Sequence, residues 1–427
     1  MAVLRGAPAR HVDVRARNLA VVLGAAVERA PCSRAQLAAA TGLTKATVSS
    51  LVDTLVGGGL LHELGTAAAA ARVGRPGSSL VPARSGPLGL GLEIHVGGLG
   101  VYAVDLAGEV RYRRLVPGDL RGLDVHEVLR RAGSALAGAL VAAAAGGNAV
   151  AGLGVAVPGL VDGGPGRVRQ VLRTAPNLGW RDVDVLEEVL AAAQEVLDDP
   201  LSDAPGRTPA APDRRWCHLD NEANLAALGE LWCGQGQGQG QGQGHGPARE
   251  DGRDTGPLRT FLFVSGEVGI GAGIVVDGVL WRGRRGFAGE IGHVDGLERR
   301  AGQEAVLAAA GAADTADLLR RAGAGEARVL DAVRRAGTFL GAAVAAAVTL
   351  LDVDTVVLGG LYARLAPWLL AVVEDELEHR VLPAARPVLV LASTLGPDAA
   401  MLGAATSVVR DVLDDPAAYL RRTSLRE

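Results

Sequence analysis

Five polar side chains that could bind a ligand follow predicted strands in this 427-residue chain. They are Asn177, Asn221, Glu222, Glu290 and His293, in the segments APNLGW, HLDNEANLAALGELW and GFAGEIGH. Amide, carboxylate and imidazole groups donate hydrogen bonds to neighbouring hydroxyls and accept them, which suits a neutral polyol. Each residue alone could equally be a helix cap or a turn residue. As a set placed after strands, where α/β sheets bind ligands, they favour a ligand site.

A second group surrounds Lys45, the chain's only lysine, in ATGLTKATVSSLVDTLVGGG. The spacing of Val48, Leu51, Val52 and Leu55 predicts a helix with one apolar face, capped by Thr44. Its open face then points polar groups outward, as in a recognition helix that enters the major groove of DNA. The alternative is an ordinary solvated lysine. The candidate DNA-binding residues in this region are Arg34, Thr44, Lys45, Thr47, Ser49 and Ser50.

The elements around that helix predict a winged helix-turn-helix over residues 1–84. A helix over 18–30, a short helix capped by Ser33 and the Lys45 helix precede two strands, LLHELG and SSLVPA. The loop between those strands carries Arg72 and Arg75 in RVGRPG, and an extended arginine there could enter a minor groove. A plain polar loop is the alternative.

The charge distribution agrees with a DNA-binding head. Residues 1–84 hold ten basic and four acidic residues, a net charge of +6, so the rest of the chain carries −10 of the total of −4. A basic unit on an acidic body is typical of a protein that approaches nucleic acid with one end.

Residues 85–427 predict an α/β body in which strands and helices alternate. A turn at Asp105–Gly108 joins two strands, and helices are expected near 124–145 and 326–350. Two insertions, 198–214 and the Gly-Gln repeat at 234–257, have too few apolar residues to offset the entropy of ordering, and we expect them to be disordered.

Compartment and membrane signals are few. The N-terminal residues show no apolar core of a signal peptide, and no strongly apolar run of 18 residues appears. Cys32, Cys217 and Cys233 are far apart, which predicts free thiols and a cytoplasmic protein.

Over residues 15–410 the chain resembles the ROK family of repressors and sugar kinases, in its repressor branch of xylose-repressor-like members. The motifs are SRAQLAAATGLTKATVSSLVDTLVGGGLL, GRPG, VAVPGLVD, APNLGW, DNEANLAALGE, VSGEVGIGAGIVVDG and AGEIGH. The resemblance implies a two-lobed actin-like (ribonuclease H-like) body, with a small lobe near 85–218, a large lobe near 219–427 and a sugar cleft between them. It places Glu222 where the kinases have their catalytic Asp, and Glu290 and His293 among the sugar contacts.

Three departures from the kinase pattern stand out. The first phosphate loop reads Glu93-Ile94-His95-Val96-Gly97 and the second reads Glu267-Val268-Gly269, so both lack the family's Thr. The Cys-rich loop that holds zinc in the family is absent after GEIGH, which predicts no metal and no other cofactor. The Glu that ends that loop is lost with it, and Glu304 is its candidate replacement.

These features predict a DNA-binding regulator, in the first instance a repressor of carbohydrate metabolism, that binds an operator as a homodimer and senses a sugar without catalysis. The rival hypothesis is an ATP-dependent sugar kinase with an added head. A third is a regulator whose body only dimerises.

Overall fold

A computed structural model of the chain describes residues 11–65, 78–163, 169–199, 209–234, 258–382 and 387–424. The predicted minor-groove residues Arg72 and Arg75 and most of both predicted insertions lie outside these ranges.

The head has the predicted order of elements. Its helices are α1 (His11–Glu28), α2 (Arg34–Thr41) and α3 (Lys45–Gly57), and its antiparallel strands are β1 (Leu61–Leu64) and β2 (Ser79–Pro82). Helix α1 begins seven residues before the predicted start, because the apolar stripe fixes only the packed part of a helix. Ser33 and Gln36 form a capping box at α2, and Gly42 turns the chain into α3 with φ of 70°.

The first lobe contains a five-stranded mixed sheet in the order β10-β6-β3-β4-β5. Its strands are β3 (Leu88–His95), β4 (Gly98–Val104), β5 (Val110–Pro117), β6 (Val150–Val157) and β10 (Cys217–Asn221). Helices α4 (Val125–Ala145) and α5 (Val185–Asp198) pack beside it. A smaller antiparallel sheet holds β7 (Leu160–Asp162), β8 (Val171–Ala175) and β9 (Trp180–Val183).

The second lobe repeats this plan in the order β13-β12-β11-β14-β15. Its strands are β11 (Phe261–Gly266), β12 (Ile270–Val276), β13 (Val279–Leu280), β14 (Thr355–Gly359) and β15 (Leu389–Ala392). Its helices are α7 (Glu298–Ala301), α8 (Gln303–Ala310), α9 (Thr315–Gly323), α10 (Ala327–Leu351), α11 (Gly360–Arg364) and α12 (Ala366–Arg380). In each lobe three antiparallel strands are followed by two parallel ones, which is the predicted actin-like α/β class.

Two helices pack between the lobes. Helix α6 (Glu222–Cys233) leaves the first lobe directly after β10, and α13 (Ala399–Asp414) follows the second lobe's last strand. Glycines make the packing close: a Cβ on Gly403 of α13 would collide with the Leu225 carbonyl of α6, and one on Gly91 of β3 with the Met401 carbonyl of α13. The two helices and strand β3 therefore form one tightly packed unit.

The lobe boundaries differ from the predicted ones. Strand β10 pairs with β6 through Asn221, so the first lobe extends beyond residue 218. The large lobe does not run unbroken to residue 427, because α13 lies on strands β3 and β6 of the first lobe and α14 (Pro416–Ser424) follows it there. Part of the first predicted insertion is also ordered, since residues 209–214 are described and Arg214 pairs with Asp184 at 2.6 Å.

Two helices, α4 and α10, are long and apolar enough to span a membrane by length and composition. About half of each apolar window is buried inside the protein, at 56% and 50%, as in core helices that pack on a sheet.

Candidate functional site

The outer face of α3 carries the predicted contact residues of the head. Val48, Leu51, Val52 and Leu55 are buried beneath it, while Lys45 and Ser50 are exposed. Thr44 caps the helix: its Oγ1 accepts the Thr47 N–H at 3.2 Å and lies 2.9 Å from the Thr47 hydroxyl. Thr47 and Ser49 are half-exposed. A positive charge and small hydroxyls at a helix N-terminus form a surface of the kind that enters a DNA groove.

Arg34, which the sequence predicted to contact DNA, is instead held by acidic residues of the head. Its guanidinium pairs with Asp53 at 2.7 Å and with Glu63 at 2.5 Å. A third bond, 3.2 Å long, runs from Nη1 to the Ser49 carbonyl. Arg34 therefore joins α2 to α3 and β1, and its local charge is balanced by two carboxylates.

The head rests on the body through α13 and α14. Leu420 of α14 packs against Gly58, which ends α3, and a methyl group on that glycine would overlap Leu420. Val408 and Tyr419 belong to the same buried cluster as Leu19 and Val22 of α1. Arg422 lies over the rings of Trp216 and Tyr419 and donates to the Ala151 carbonyl at 2.6 Å. The cores of the head and the body are thus continuous.

Three glutamates near the ends of strands lie within electrostatic reach of one another. Glu93 lies two residues before the end of β3, Glu222 begins α6, and Glu267 follows β11. Burial raises the pKa of Glu93 well above its usual range, and the charges of Glu222, Glu267 and Asp398 add to this. Burial, with Glu267 and Glu290, raises the pKa of Glu222 to about 8. Burial also raises the pKa of Glu267, against an opposing effect of Arg364, although the residue as a whole is exposed.

The five residues predicted to bind a ligand differ in exposure and in whether their side chains already have hydrogen-bond partners. Asn177 is half-buried, and its Nδ2 lies 3.2 Å from the point where a Cβ on Gly269 would be. Glu222 and Glu290 lie within electrostatic reach of each other. Asn221 is already engaged, because it accepts the Ala223 N–H at 2.8 Å and donates to the Gly159 carbonyl at 2.9 Å. His293 is 73% exposed and only 3.6 Å from Glu290.

Glu298 is the cleft residue that the sequence reasoning missed. Its Oε1 lies 3.3 Å from the same Gly269 Cβ point as Asn177, and its charge acts on Glu290. Glu304, the replacement considered from sequence, is instead 70% exposed and pairs with Arg121 at 3.2 Å. Glu298 is the first residue of α7 and lies five residues after His293 in the sequence. That short separation from a predicted ligand residue is the signal by which the sequence could have identified it.

Side chains lie against both segments that the sequence analysis compared with the kinases' phosphate loops. The Nδ1 atom of His95 accepts the Gly97 N–H at 3.1 Å, so one loop amide is engaged internally. The Oε1 atom of Glu267 lies 2.6 Å from the point where a Cβ on Gly360 would be, which brings a carboxylate against the turn after β14.

Two sequence profiles match the chain. That of the IclR helix-turn-helix domain matches residues 26–65, and that of the ROK family matches residues 253–299 and 295–411. The ROK match therefore follows the helix-turn-helix match along the chain.

Relatives similar to this chain include two proteins named as xylose repressors. The chain is 29% identical over 284 residues to the putative xylose repressor of Caldicellulosiruptor sp. (strain Rt8B.4), covering 66% of this chain and 60% of that protein. It is 26% identical over 290 residues to the xylose repressor of Bacillus subtilis (strain 168), covering 66% and 61%. The match thus spans about three fifths of the length of these relatives.

Solved structures share the fold. A ROK family transcriptional regulator, homolog of the E. coli MLC protein, superimposes with a TM-score of 0.70 at 22% identity, over 95% of this chain and 99% of that one. A ROK family glucokinase from Streptomyces griseus, in complex with glucose and AMPPNP, gives 0.55 at 21% identity, over 75% and 98%. The body thus has the fold of both of these solved structures.

The residues after GEIGH do not fit the structural zinc that the resemblance to the ROK family implies. No cysteine follows Cys233 in the sequence. In the part of the chain that the structure describes, no three His, Cys, Asp or Glu side chains are arranged to hold a metal ion. A single exposed His293 cannot supply the four ligands of a structural zinc site.

Proposed function

We propose that this chain is a sequence-specific transcriptional regulator, a repressor of carbohydrate genes, that binds an operator through α3 and responds to a sugar between its lobes. The observation that carries the proposal is the exposed Lys45 face of α3 on a head whose core is continuous with a ROK body. Repressors among the relatives support the direction of control.

Binding to DNA would use Lys45 first. Lys45 is exposed at the N-terminus of α3, and the described residues contain no ion pair that neutralises it. A lysine there can donate to guanine O6 and N7, while the methyl groups of Ala46 and Thr47 can contact thymine. Thr44, Ser49 and Ser50 are suited to phosphate or base contacts. Two copies would read the half-sites of a palindromic operator.

The effector would bind near Asn177, Glu222, Glu290 and Glu298. Its signal has a packed route to the head: Glu222 begins α6, α6 packs closely on α13, and α13 continues into α14 beneath α3. Such a unit does not deform gradually, so a change in lobe closure would displace α14 against the head.

Phosphoryl transfer is disfavoured by the loops. Catalysis of phosphoryl transfer depends on positioning and on neutralising phosphate charge. Here His95 engages a loop amide, and the Glu267 carboxylate faces the turn after β14, so a nucleotide would meet negative charge. We therefore infer that the body senses a sugar without catalysis, in a cytoplasmic protein that needs no cofactor.

The test begins with a binding site selected from random duplexes, followed by fluorescence anisotropy at several salt concentrations. Wild-type protein should bind one sequence with salt-dependent affinity, and Lys45→Ala should weaken it about tenfold or more. Arg181→Ala, at an exposed arginine of the body, is the matched loss of charge and should leave affinity unchanged. Binding without sequence preference, or equal effects of both variants, would contradict the proposal.

The rival functions give different results. A sugar kinase would consume ATP with some hexose in a coupled assay, and we expect no turnover above background. A body that only dimerises would show no melting shift with any sugar, because ligands raise Tm only by binding the folded state.

A further inference from the structure

One acidic side chain, Asp53, lies on the face of α3 that points away from the core of the head. The exposed residues Ala46, Ser50, Asp53 and Gly57 recur at intervals of four, three and four residues. Residues with this spacing form one stripe along a helix, and here the stripe is opposite the buried positions of α3. If α3 enters a DNA groove as proposed above, this stripe lies nearest the base edges.

The direction of the Asp53 carboxylate is fixed by Arg34. The Nη1 atom of Arg34 donates to Oδ1 of Asp53 at 2.7 Å and to the Ser49 carbonyl at 3.2 Å. Its Nε and Nη2 atoms donate to Oε1 of Glu63 on β1, at 3.1 and 2.5 Å. The guanidinium is thus held by α3 and by the first strand of the wing. Asp53 therefore has a fixed orientation, although its side chain is 66% exposed.

The charge of this group would oppose DNA binding unless the carboxylate has a use. Arg34, Asp53 and Glu63 supply one guanidinium and two carboxylates, a net charge of −1. A negative group on the surface that approaches DNA is repelled by the phosphates. A carboxylate in the major groove is nevertheless favourable where it accepts a hydrogen bond from the amino group of a base.

One oxygen of Asp53 remains available for such a bond. The ion pair with Arg34 uses Oδ1, and no group in the part of the chain that the structure describes donates to Oδ2. Cytosine and adenine both present an amino group in the major groove, but adenine also presents the acceptor N7 beside it. A carboxylate only accepts hydrogen bonds, so N7 would repel it. The acceptor geometry therefore favours cytosine.

We propose that Asp53 contacts a cytosine of the operator, accepting a hydrogen bond from its N4 amino group, and that Arg34 is the positioning residue that orients the carboxylate. This rests on the proposed DNA-binding function and specifies one base of the operator. Asp53 lies eight residues after Lys45, which is about 12 Å along a helix. At about 3.4 Å per base pair, the cytosine is expected about three or four base pairs from the guanine contacted by Lys45.

The experiment takes the duplex selected by the full-length protein, replaces each base pair in turn and measures affinity by fluorescence anisotropy. Wild-type protein should bind about fivefold or more weakly when the predicted cytosine is replaced. Asp53→Asn should change the preference at that position from cytosine to adenine, because an amide donates to N7 and accepts from N6. Asp53→Ala should leave that position without a preference. If both variants keep the wild-type preference at every position, the inference is wrong.

The matched control on the head is Glu28→Gln, which removes a carboxylate from an exposed position on α1. Loss of negative charge alone strengthens binding to every duplex by a similar factor. Only Asp53→Asn should therefore alter the preference at a single base pair. A uniform gain in affinity in Asp53→Asn, without any change of preference, would show that Asp53 acts only through its charge and would overturn the inference.

The positioning role of Arg34 is tested with Arg34→Lys. Lysine keeps the positive charge but lacks the planar fork that holds Asp53 and Glu63 together. The preference for cytosine should fall about threefold or more, while the preference for guanine at the Lys45 position stays. Urea denaturation confirms that the variant is folded under the conditions of the binding assay. An undiminished preference for cytosine in folded Arg34→Lys contradicts the positioning role.

Failure of the cytosine contact is distinguishable from failure of the proposed function. The wild-type protein can select one sequence, and Lys45→Ala can weaken its binding, while Asp53→Asn keeps the wild-type preferences. In that case only the cytosine contact is wrong. If the wild-type protein selects no sequence, the DNA-binding function fails and the cytosine contact fails with it.

Discussion

Leu420 of α14 packs against Gly58, the residue directly after helix α3. A residue near the C-terminal end of the described chain therefore supports the element proposed to contact DNA. Leu420→Ala should lower the free energy of unfolding by about 1–2 kcal/mol, because a partly buried leucine leaves a cavity that its surroundings can partly fill. Urea denaturation measures this.

The control for that substitution is Leu382→Ala, at a leucine that is 79% exposed. It should change stability by less than about 0.5 kcal/mol. Equal losses in the two variants would show that Leu420 contributes nothing specific to the contact between head and body.

Arg34→Ala should destabilise the protein by about 1 kcal/mol, because two partly exposed ion pairs and a carbonyl bond are lost together. Arg17→Ala removes the same charge from an exposed position on α1 and should be near neutral. A double-mutant cycle of Arg34→Ala with Asp53→Ala isolates the pair. Arg34→Ala could instead leave stability unchanged and weaken DNA binding more than Arg17→Ala does. That result would support the predicted role of Arg34 as a DNA contact.

The stability of the chain should fall as pH rises from about 5 to about 8. Glu222 has a folded pKa of about 8, far above that of an unfolded glutamate, so in this window the folded chain binds more protons than the unfolded chain. Glu93 acts in the same direction. Glu222→Gln should flatten the decline, as followed by urea denaturation across the window, whereas Glu304→Gln should preserve it. An unchanged slope in Glu222→Gln would show that Glu222 titrates normally.

Gly403→Ala should destabilise by about 1–3 kcal/mol, because its methyl group would overlap the Leu225 carbonyl, which is backbone and cannot rotate away. Gly24→Ala, inside α1 with nothing within 4 Å of the added carbon, should stabilise by about 0.5–1 kcal/mol. Thermal denaturation compares them. A neutral Gly403→Ala would mean that α6 and α13 can separate without cost.

Local patterns in the sequence were sufficient for the head and for the fold class. The apolar spacing of α3, its Thr44 cap and the Gly42 turn are interactions between near neighbours, and the structure has them as predicted. The alternation of strands and helices, together with the family motifs, predicted two lobes of actin-like topology.

Contacts between distant residues were not predictable in this way. Arg34 meets Asp53 and Glu63, 19 and 29 residues away, and nothing in its local sequence distinguishes it from a free arginine. Glu298 was overlooked in favour of Glu304 because the loss of the Cys-rich loop obscures the register of the residues after His293. The return of α13 to the first lobe depends on Gly91, Gly154 and Gly403, whose pattern acquires meaning only when the elements meet.

The duplicated sheets are joined covalently at two places, through α6 and through the segment that leads into α13. Because α6 and α13 pack side by side, the two connections between the sheets lie close together. Because Gly403 lies directly against the Leu225 carbonyl, sliding one helix along the other would bring their backbones into collision. Under the proposed function, a bound effector would therefore act on the head by moving this packed pair of helices as one unit.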